Sequence, residues 1–311
     1  MYFSLQPELR EISPEEAAEN ELAVGYIEKD ELADAILRFG FTDTSAEECL
    51  NERDNYRNAI EIYDGYTFGM VNIVNVRNVY ENSDRLAFFF RENLLLVVSL
   101  RDDDGSTRQT FMDALKRYKP TVVTMEKVIF AILESTIKKD STELEMTERH
   151  INALEELVAK NQDPQKLSAC LYDLKKRLLI LRSYYEQIID IGEGLEENEN
   201  ELFTEDALHY FALLTQKAER LSGTVSMLCD ELNQLQNSHQ AAMDYRLNET
   251  MKLLTVITII CLPLTLIVGW YGMNFPNMFL INSDVGYPIV CVCCVVIVSG
   301  LLVFFKKKGM L

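Results

Sequence analysis

Seven residues toward the C-terminal end recur three and four apart: Asn248, Met251, Thr255, Thr258, Leu262, Thr265 and Gly269. On a helix that spacing gathers them on one face, which presents an amide, a thioether, three hydroxyls and a glycine. The other faces are Leu, Ile and Val. Inside hydrocarbon such a stripe either packs against another helix or lines a water-filled path. Threonine can also satisfy its hydroxyl by bonding back to its own helix. Just beyond the stripe the chain reads WYGMNFPNM, from Trp270 to Met278. It places a small, neutral, hydrogen-bonding Asn274 where the apolar run ends.

The elements that must carry these residues are two apolar runs. Residues 253–271 and 287–305 contain no charged side chain. At about 1.5 Å per helical residue, each reaches roughly the 30 Å of a bilayer core. Two buried core helices in tandem are the soluble alternative. Pro263 removes one backbone hydrogen bond within the first run and is expected to bend it. Lys306, Lys307 and Lys308 follow the second run, Arg246 and Lys252 precede the first, and residues 272–286 hold no Lys or Arg. This asymmetry puts both termini in the cytoplasm and the connecting loop outside a cell (inner) membrane. Two spans enclose no pore, so a water-filled path calls for several copies of the chain about an axis.

The 311-residue chain carries 30 basic and 49 acidic residues, a net charge of −19. Residues 251–311 contribute four Lys against Asp284, which leaves −22 on residues 1–250. A body that acidic repels nucleic acid and anionic lipid and attracts divalent cations. The opening residues MYFSLQPELREISPEE lack the basic start and apolar stretch of a signal peptide. Cys49, Cys170, Cys229, Cys261, Cys291, Cys293 and Cys294 show no metal-type spacing in the soluble part, so reduced thiols are expected. The CVCC run at 291–294 reads as small apolar packing, with soft-metal ligation or acylation as the functional alternative. His150, His209 and His239 each stand alone. No phosphate loop, nucleophile elbow or metalloprotease motif occurs, so the chain is not expected to be an enzyme.

Upstream, residues 1–106 read as an α/β domain on a mixed sheet. Strands are expected at Met1–Leu5, Leu22–Ile27, Ala59–Tyr63, Tyr66–Val76, Arg85–Phe90 and Asn93–Leu100, all rich in Val, Ile, Phe and Tyr. Helices are expected at Asp30–Phe39 and Ser45–Asn51. From about Thr107 the pattern is helical, with breaks at Pro120, Pro164 and the acidic segment 192–206. Helices 141–161 and 165–191 form an expected antiparallel pair. The acidic segment is either a solvated loop or a carboxylate cluster facing a basic or metal-bearing partner. Leu208, Phe211, Thr215, Ala218, Leu221, Val225, Leu228, Leu232 and Leu235 then form a heptad seam, which points to association between copies. No proline interrupts residues 206–262, so one stalk helix (206–250) is expected to run on into the membrane domain, residues 251–311. The fold class is thus α+β, followed by long helices and two C-terminal spans.

YGMNF (271–275) closing the first of two C-terminal spans, PLT (263–265) within it and KKK after the second together resemble the CorA family of divalent-cation channels. The likeness in motif covers about residues 244–308; upstream only the order of architecture matches. What the resemblance implies is a homopentamer with a helical funnel, carrying Mg²⁺ as transported and regulatory ion and no cofactor. Asn274 would form the outer selectivity ring, with Gly272 and Met273 shaping it. Asn248, Met251, Thr255, Thr258, Leu262, Thr265 and Gly269 would line the pore, and Lys306–Lys308 would form a basic collar at its cytoplasmic mouth. Mg²⁺ gives up its inner waters reluctantly, and amide carbonyls can hydrogen-bond to those waters without replacing them. Met251 and Leu262 would make narrow apolar rings that close by dewetting. Many relatives carry an acidic residue shortly after the Asn; here the loop's one carboxylate is Asp284. Family members sense cytoplasmic Mg²⁺ through carboxylates between subunits, and no motif marks their equivalents here. Zinc transport, or a non-conducting coiled-coil scaffold in the membrane, are the alternatives.

Overall fold

Short runs of Val, Ile, Leu, Phe and Tyr pair into one seven-stranded sheet in the computed structural model. It describes all residues except 7, 20–21, 51–59, 120–121, 161–163, 274–284 and 310–311. The strands are β1 (Tyr2–Ser4), β2 (Arg10–Ile12), β3 (Ala23–Glu28), β4 (Ile60–Tyr63), β5 (Tyr66–Ile73), β6 (Asp84–Arg91) and β7 (Leu94–Arg101). Their order is β2-β1-β3-β7-β6-β5-β4. β3 and β7 run parallel, and every other pair is antiparallel. The expected mixed sheet is therefore present. β2 was not expected: three residues with one buried side chain give too short a pattern to read. The β5 strand stops at Ile73, three residues before the expected Val76.

Both faces of the sheet are covered, which explains why β5, β6 and β7 read as continuous apolar runs rather than strict alternations. One face packs Phe68, Met70, Ala87, Phe89, Leu96 and Val98 against α1 (Pro14–Glu19), α2 (Leu32–Phe39) and α3 (Asp43–Leu50). α2 stops where Gly40 takes the left-handed conformation. The other face meets α4 (Ser106–Arg117) and α5 (Met125–Ile137); Phe111 lies 5.3 Å from Tyr26, ring to ring. On this face Gly69 pairs with Phe88 across β5 and β6. A Cβ at position 69 would lie 2.1 Å from Phe88 Cζ, and Phe88 is itself buried. Gly69→Ala should therefore cost about 1–3 kcal/mol through overpacking. Thermal unfolding of the purified chain checks this; an unchanged midpoint would mean that the ring moves freely.

The helical layer follows with α6 (Asp140–Lys160) and α7 (Pro164–Glu197). Tyr185 Oη donates to Asp140 Oδ2 at 3.0 Å, and Cys170 Sγ lies 4.0 Å from His150 Nε2. Those two contacts make the pair antiparallel, as the sequence indicates. α7 is longer than expected: it runs on to Glu197, so the acidic break is confined to residues 198–204. Its end is set by Asn198, which adopts φ 48° and brackets Phe203 with two hydrogen bonds, accepting from its N–H and donating to its carbonyl. Phe203 in turn seats edge-on against Phe90 and Phe211.

α8 (Glu205–Tyr271) is one continuous 67-residue helix through Pro263. Lys175 on α7 donates to Asn233 at 2.9 Å, so α8 returns antiparallel along α7. The heptad seam is consumed here. Phe211, Thr215, Ala218, Val225, Leu228, Leu232 and Leu235 are all buried within a single chain, and Leu208 and Leu221 are partly so. The expectation that this seam joins copies is thereby corrected: a 3–4 repeat is equally what a helix needs to pack on its own domain. α9 (Gly286–Lys307) completes the chain. The described residues group into two compact units, Met1–Gln234 and Leu235–Leu311.

Asp140 has a consequence for stability. Burial pushes its carboxyl up to about 6, only partly countered by the bond from Tyr185, and the nearby Glu143 charge adds to the rise. A carboxyl whose folded value lies above its unfolded value of 3.8 stabilises the fold most below that value. That contribution is lost as pH rises through about 6. Asp140→Asn keeps an acceptor for Tyr185 and removes the titration. It should raise stability at pH 7.5 by up to about 3 kcal/mol and leave it unchanged near pH 4. Thermal midpoints of both forms between pH 4 and 8 check the sign; parallel profiles would refute it.

Candidate pore-lining helix

The second unit carries the expected functional residues on the C-terminal part of α8. Asn248, Met251, Thr255, Thr258, Leu262, Thr265 and Gly269 are all helical, and all are exposed in the single chain. Two helices, α8 and α9, are long and apolar enough to cross a membrane, and only 6% of either apolar stretch is buried. That exposure argues against the pair of soluble core helices, because Leu253, Leu254, Ile257, Leu266, Val268, Val295 and Val303 would otherwise face water. α8 and α9 thus carry two apolar surfaces that a bilayer covers.

The threonines are oriented by their own helix. Thr255 Oγ1 donates to Met251 O at 2.8 Å, Thr258 to Leu254 O at 2.8 Å and Thr265 to Cys261 O at 2.9 Å. Each hydroxyl hydrogen is therefore committed, while the oxygen lone pairs stay outward. A hydroxyl in that state can accept but has no hydrogen left to give. The coordinated waters of a hydrated cation are donors, and so are the partners such a face suits. A concavity of about 930 Å³ runs along it, lined by residues of α8, among them Thr258, Leu262, Thr265 and Gly269, and by Met273 just beyond its end. Four of the seven stripe residues and one residue of the GMN triplet are thus brought together on one surface.

The helix ends at the triplet. Gly272 N–H donates to Val268 O at 2.9 Å and Met273 N–H to Trp270 O at 3.3 Å, closing the last turn. A Cβ on Gly272 would stand 3.0 Å from Val268 O, so this exit from the helix suits glycine. Asn274 and Asp284 lie outside the described residues. Lys306 and Lys307 occupy the last turn of α9, with Lys308 as its C-cap and its ammonium 5.3 Å from the Phe304 ring. Cations there complement the negative end of the helix. The cysteines of both units are free thiols, and burial pushes Cys49 up to about 12, which makes it unreactive.

No three carboxylates of the acidic run 192–206 converge within 4.8 Å among the described residues. Among the described residues, the carboxylates whose ligand atoms converge within 4.8 Å are Asp84, Asp102 and Asp104, which sequence spacing did not single out. Hydrogen bonds at the start of α4 hold them in place, although Asp102 Oδ1 is buried without a partner. Asp102 Oδ2 accepts from the N–H groups of Thr107 and Arg108, Asp104 from Ser106 N–H, and Asp84 from Ser106 Oγ at 2.8 Å. Asp102 and Asp104 thus serve the first amides of α4, and Asp84 holds the Ser106 hydroxyl.

A family model described as CorA-like Mg²⁺ transporter protein matches residues 26–307. The chain is 24% identical over 275 residues to the cobalt/magnesium transport protein CorA of Thermotoga maritima, spanning 87% of this chain and 77% of that one. The complete structure of the CorA magnesium transporter from Methanocaldococcus jannaschii has the same fold, with a TM-score of 0.76 at 20% identity over 98% of this chain and 95% of that one. The full-length CmaX protein matches with a TM-score of 0.72 at 19% identity, over the same shares.

Proposed function

Since the chain belongs to the CorA-like Mg²⁺ transporter family, a family of membrane-embedded divalent-cation transporters, we propose that it is a homo-oligomeric Mg²⁺ channel, a pentamer, that admits Mg²⁺ passively down the membrane potential. Its two apolar helices cross the membrane with both termini in the cytoplasm, and α8 lines the pore. The observation that supports this reading is the exposed polar stripe from Asn248 to Gly269 on an otherwise apolar, membrane-length part of α8. One chain leaves that face without a partner; five arranged about an axis would turn it into the wall of an aqueous path. Asn274 would crown it with a ring of carbonyls that grip the waters of Mg²⁺ without stripping them. Carboxylates between subunits would bind cytoplasmic Mg²⁺ and hold a symmetric closed state, released when the ion is scarce.

Potential-driven uptake of Mg²⁺ into liposomes holding the purified chain tests this. Saturable Mg²⁺ entry that Zn²⁺ does not match is expected. Preference for Zn²⁺ would reassign the cargo, and absence of any flux would favour a membrane scaffold. Gly272→Ala should lower that flux severalfold, roughly the effect of about 1 kcal/mol at the entrance, because its Cβ would crowd Val268 O and re-aim Asn274. An unchanged rate would show that the turn adapts.

A further inference from the structure

A second concavity, of about 380 Å³, lies in the first unit between the end of α5, the start of α6 and the face of α8. That size falls within the roughly 300–1,000 Å³ of small-molecule sites. Its charged lining is Lys138, Lys217, Arg220 and Glu134. Glu134, the one carboxylate there, is buried and already doubly paired: Lys217 Nζ donates to one of its oxygens and Arg117 Nη1 to the other. Burial pushes its carboxyl up, but the two cations outweigh that and hold it below its ordinary value. Glu134 therefore stays ionised and fixes Lys217 at the pocket wall, with the ammonium also 5.7 Å from the Phe130 ring. Among the described residues neither Lys138 nor Arg220 has an ion pair. The pocket is left strongly cationic on a body whose net charge is heavily negative.

We propose that this pocket binds a multiply charged phosphate anion. Lys138 and Arg220 would engage it from the two sides, Arg220 offering the planar fork that matches phosphate oxygens. Ser141 lines the same pocket and adds a hydroxyl donor, whereas the Thr224 hydroxyl is already committed to Arg220 O. Asp140 and Glu143 share the first turn of α6 with Ser141 and oppose an anion locally, while carboxylates more than about 8 Å away are largely screened at physiological salt. Such anions chelate Mg²⁺, so their occupancy would couple this surface to the ion that the family carries. The site itself does not depend on the transport reading.

Equilibrium binding of inorganic triphosphate to the full-length chain in detergent, with divalent cations removed, tests the proposal. Saturable binding of one anion per chain is expected, weakened at least tenfold by Lys138→Ala combined with Arg220→Ala. Neither substitution touches the pairs of Glu134. Arg149→Ala, which removes an exposed cation of α6 outside the pocket, should leave the affinity unchanged. Absence of saturable binding would overturn the assignment, as would equal losses in the double variant and in Arg149→Ala. Competition identifies the source: displacement by a nucleoside triphosphate marks a soluble ligand, and displacement by vesicles of anionic phospholipid marks a headgroup.

Discussion

Replacing Asn274 with Ala is expected to lower Mg²⁺ entry into liposomes by about tenfold or more, the effect of losing a single hydrogen bond to a charged partner. The residue follows the last turn of α8, which Gly272 and Met273 close with hydrogen bonds to Val268 and Trp270. A methyl group there offers nothing to the six waters that Mg²⁺ holds in its octahedral shell. The ion would have to cross the entrance without second-sphere acceptors. Asn274→Asp should also slow transport, for the opposite reason: a ring of carboxylates binds the cation so firmly that release becomes limiting. Both losses together identify a site tuned to be neutral. Unaltered entry in the Ala form, with the protein intact and assembled, would remove Asn274 from the conduction path.

The second large effect is expected at Leu262, in the middle of the exposed face of α8. An apolar constriction conducts only when wetted, so its side chain sets how readily the path closes. Leu262→Thr keeps a branched side chain but adds an acceptor and removes apolar surface. Mg²⁺ entry that persists at high internal Mg²⁺ is expected, about tenfold above the parent, since removing roughly 1.4 kcal/mol from the cost of wetting is enough. Leu253→Thr is the control. It stands nine residues away, roughly 180° around the helix at 3.6 residues per turn, and should leave closure intact. If both substitutions leak equally, the effect is loosening of the membrane unit and not wetting of a path.

The sheet was legible because its strands are long apolar runs: β5, β6 and β7 each bury nearly every residue. Arg10–Ile12 and Pro14–Glu19 escaped notice, since three residues and one mostly polar turn carry no period. The seam from Phe211 to Leu235 shows a different limit. Its repeat was read correctly, but periodicity does not say whose surface fills the groove, and in the fold it is the chain's own. The face of α8 from Asn248 to Gly269 was equally legible as a stripe. Its assignment to a conduction path came from the likeness of YGMNF, PLT and KKK to a known family, because one chain cannot enclose a pore. Nothing in the sequence brought Lys138 together with Lys217 and Arg220, which lie on helices separated by the whole of α6 and α7. Convergence of that kind exists only once the chain is folded.

The central claim is that one face of α8 borders water inside the membrane. Single cysteines placed in turn along residues 251–269 of a cysteine-free parent in liposomes, and exposed to a membrane-impermeant thiol reagent, read it directly. Labelling should recur with a helical period and peak at positions 251, 255, 258, 262, 265 and 269, with Mg²⁺ slowing the reaction there. Uniform protection of all positions, or labelling that peaks on the side of Leu253, would contradict it.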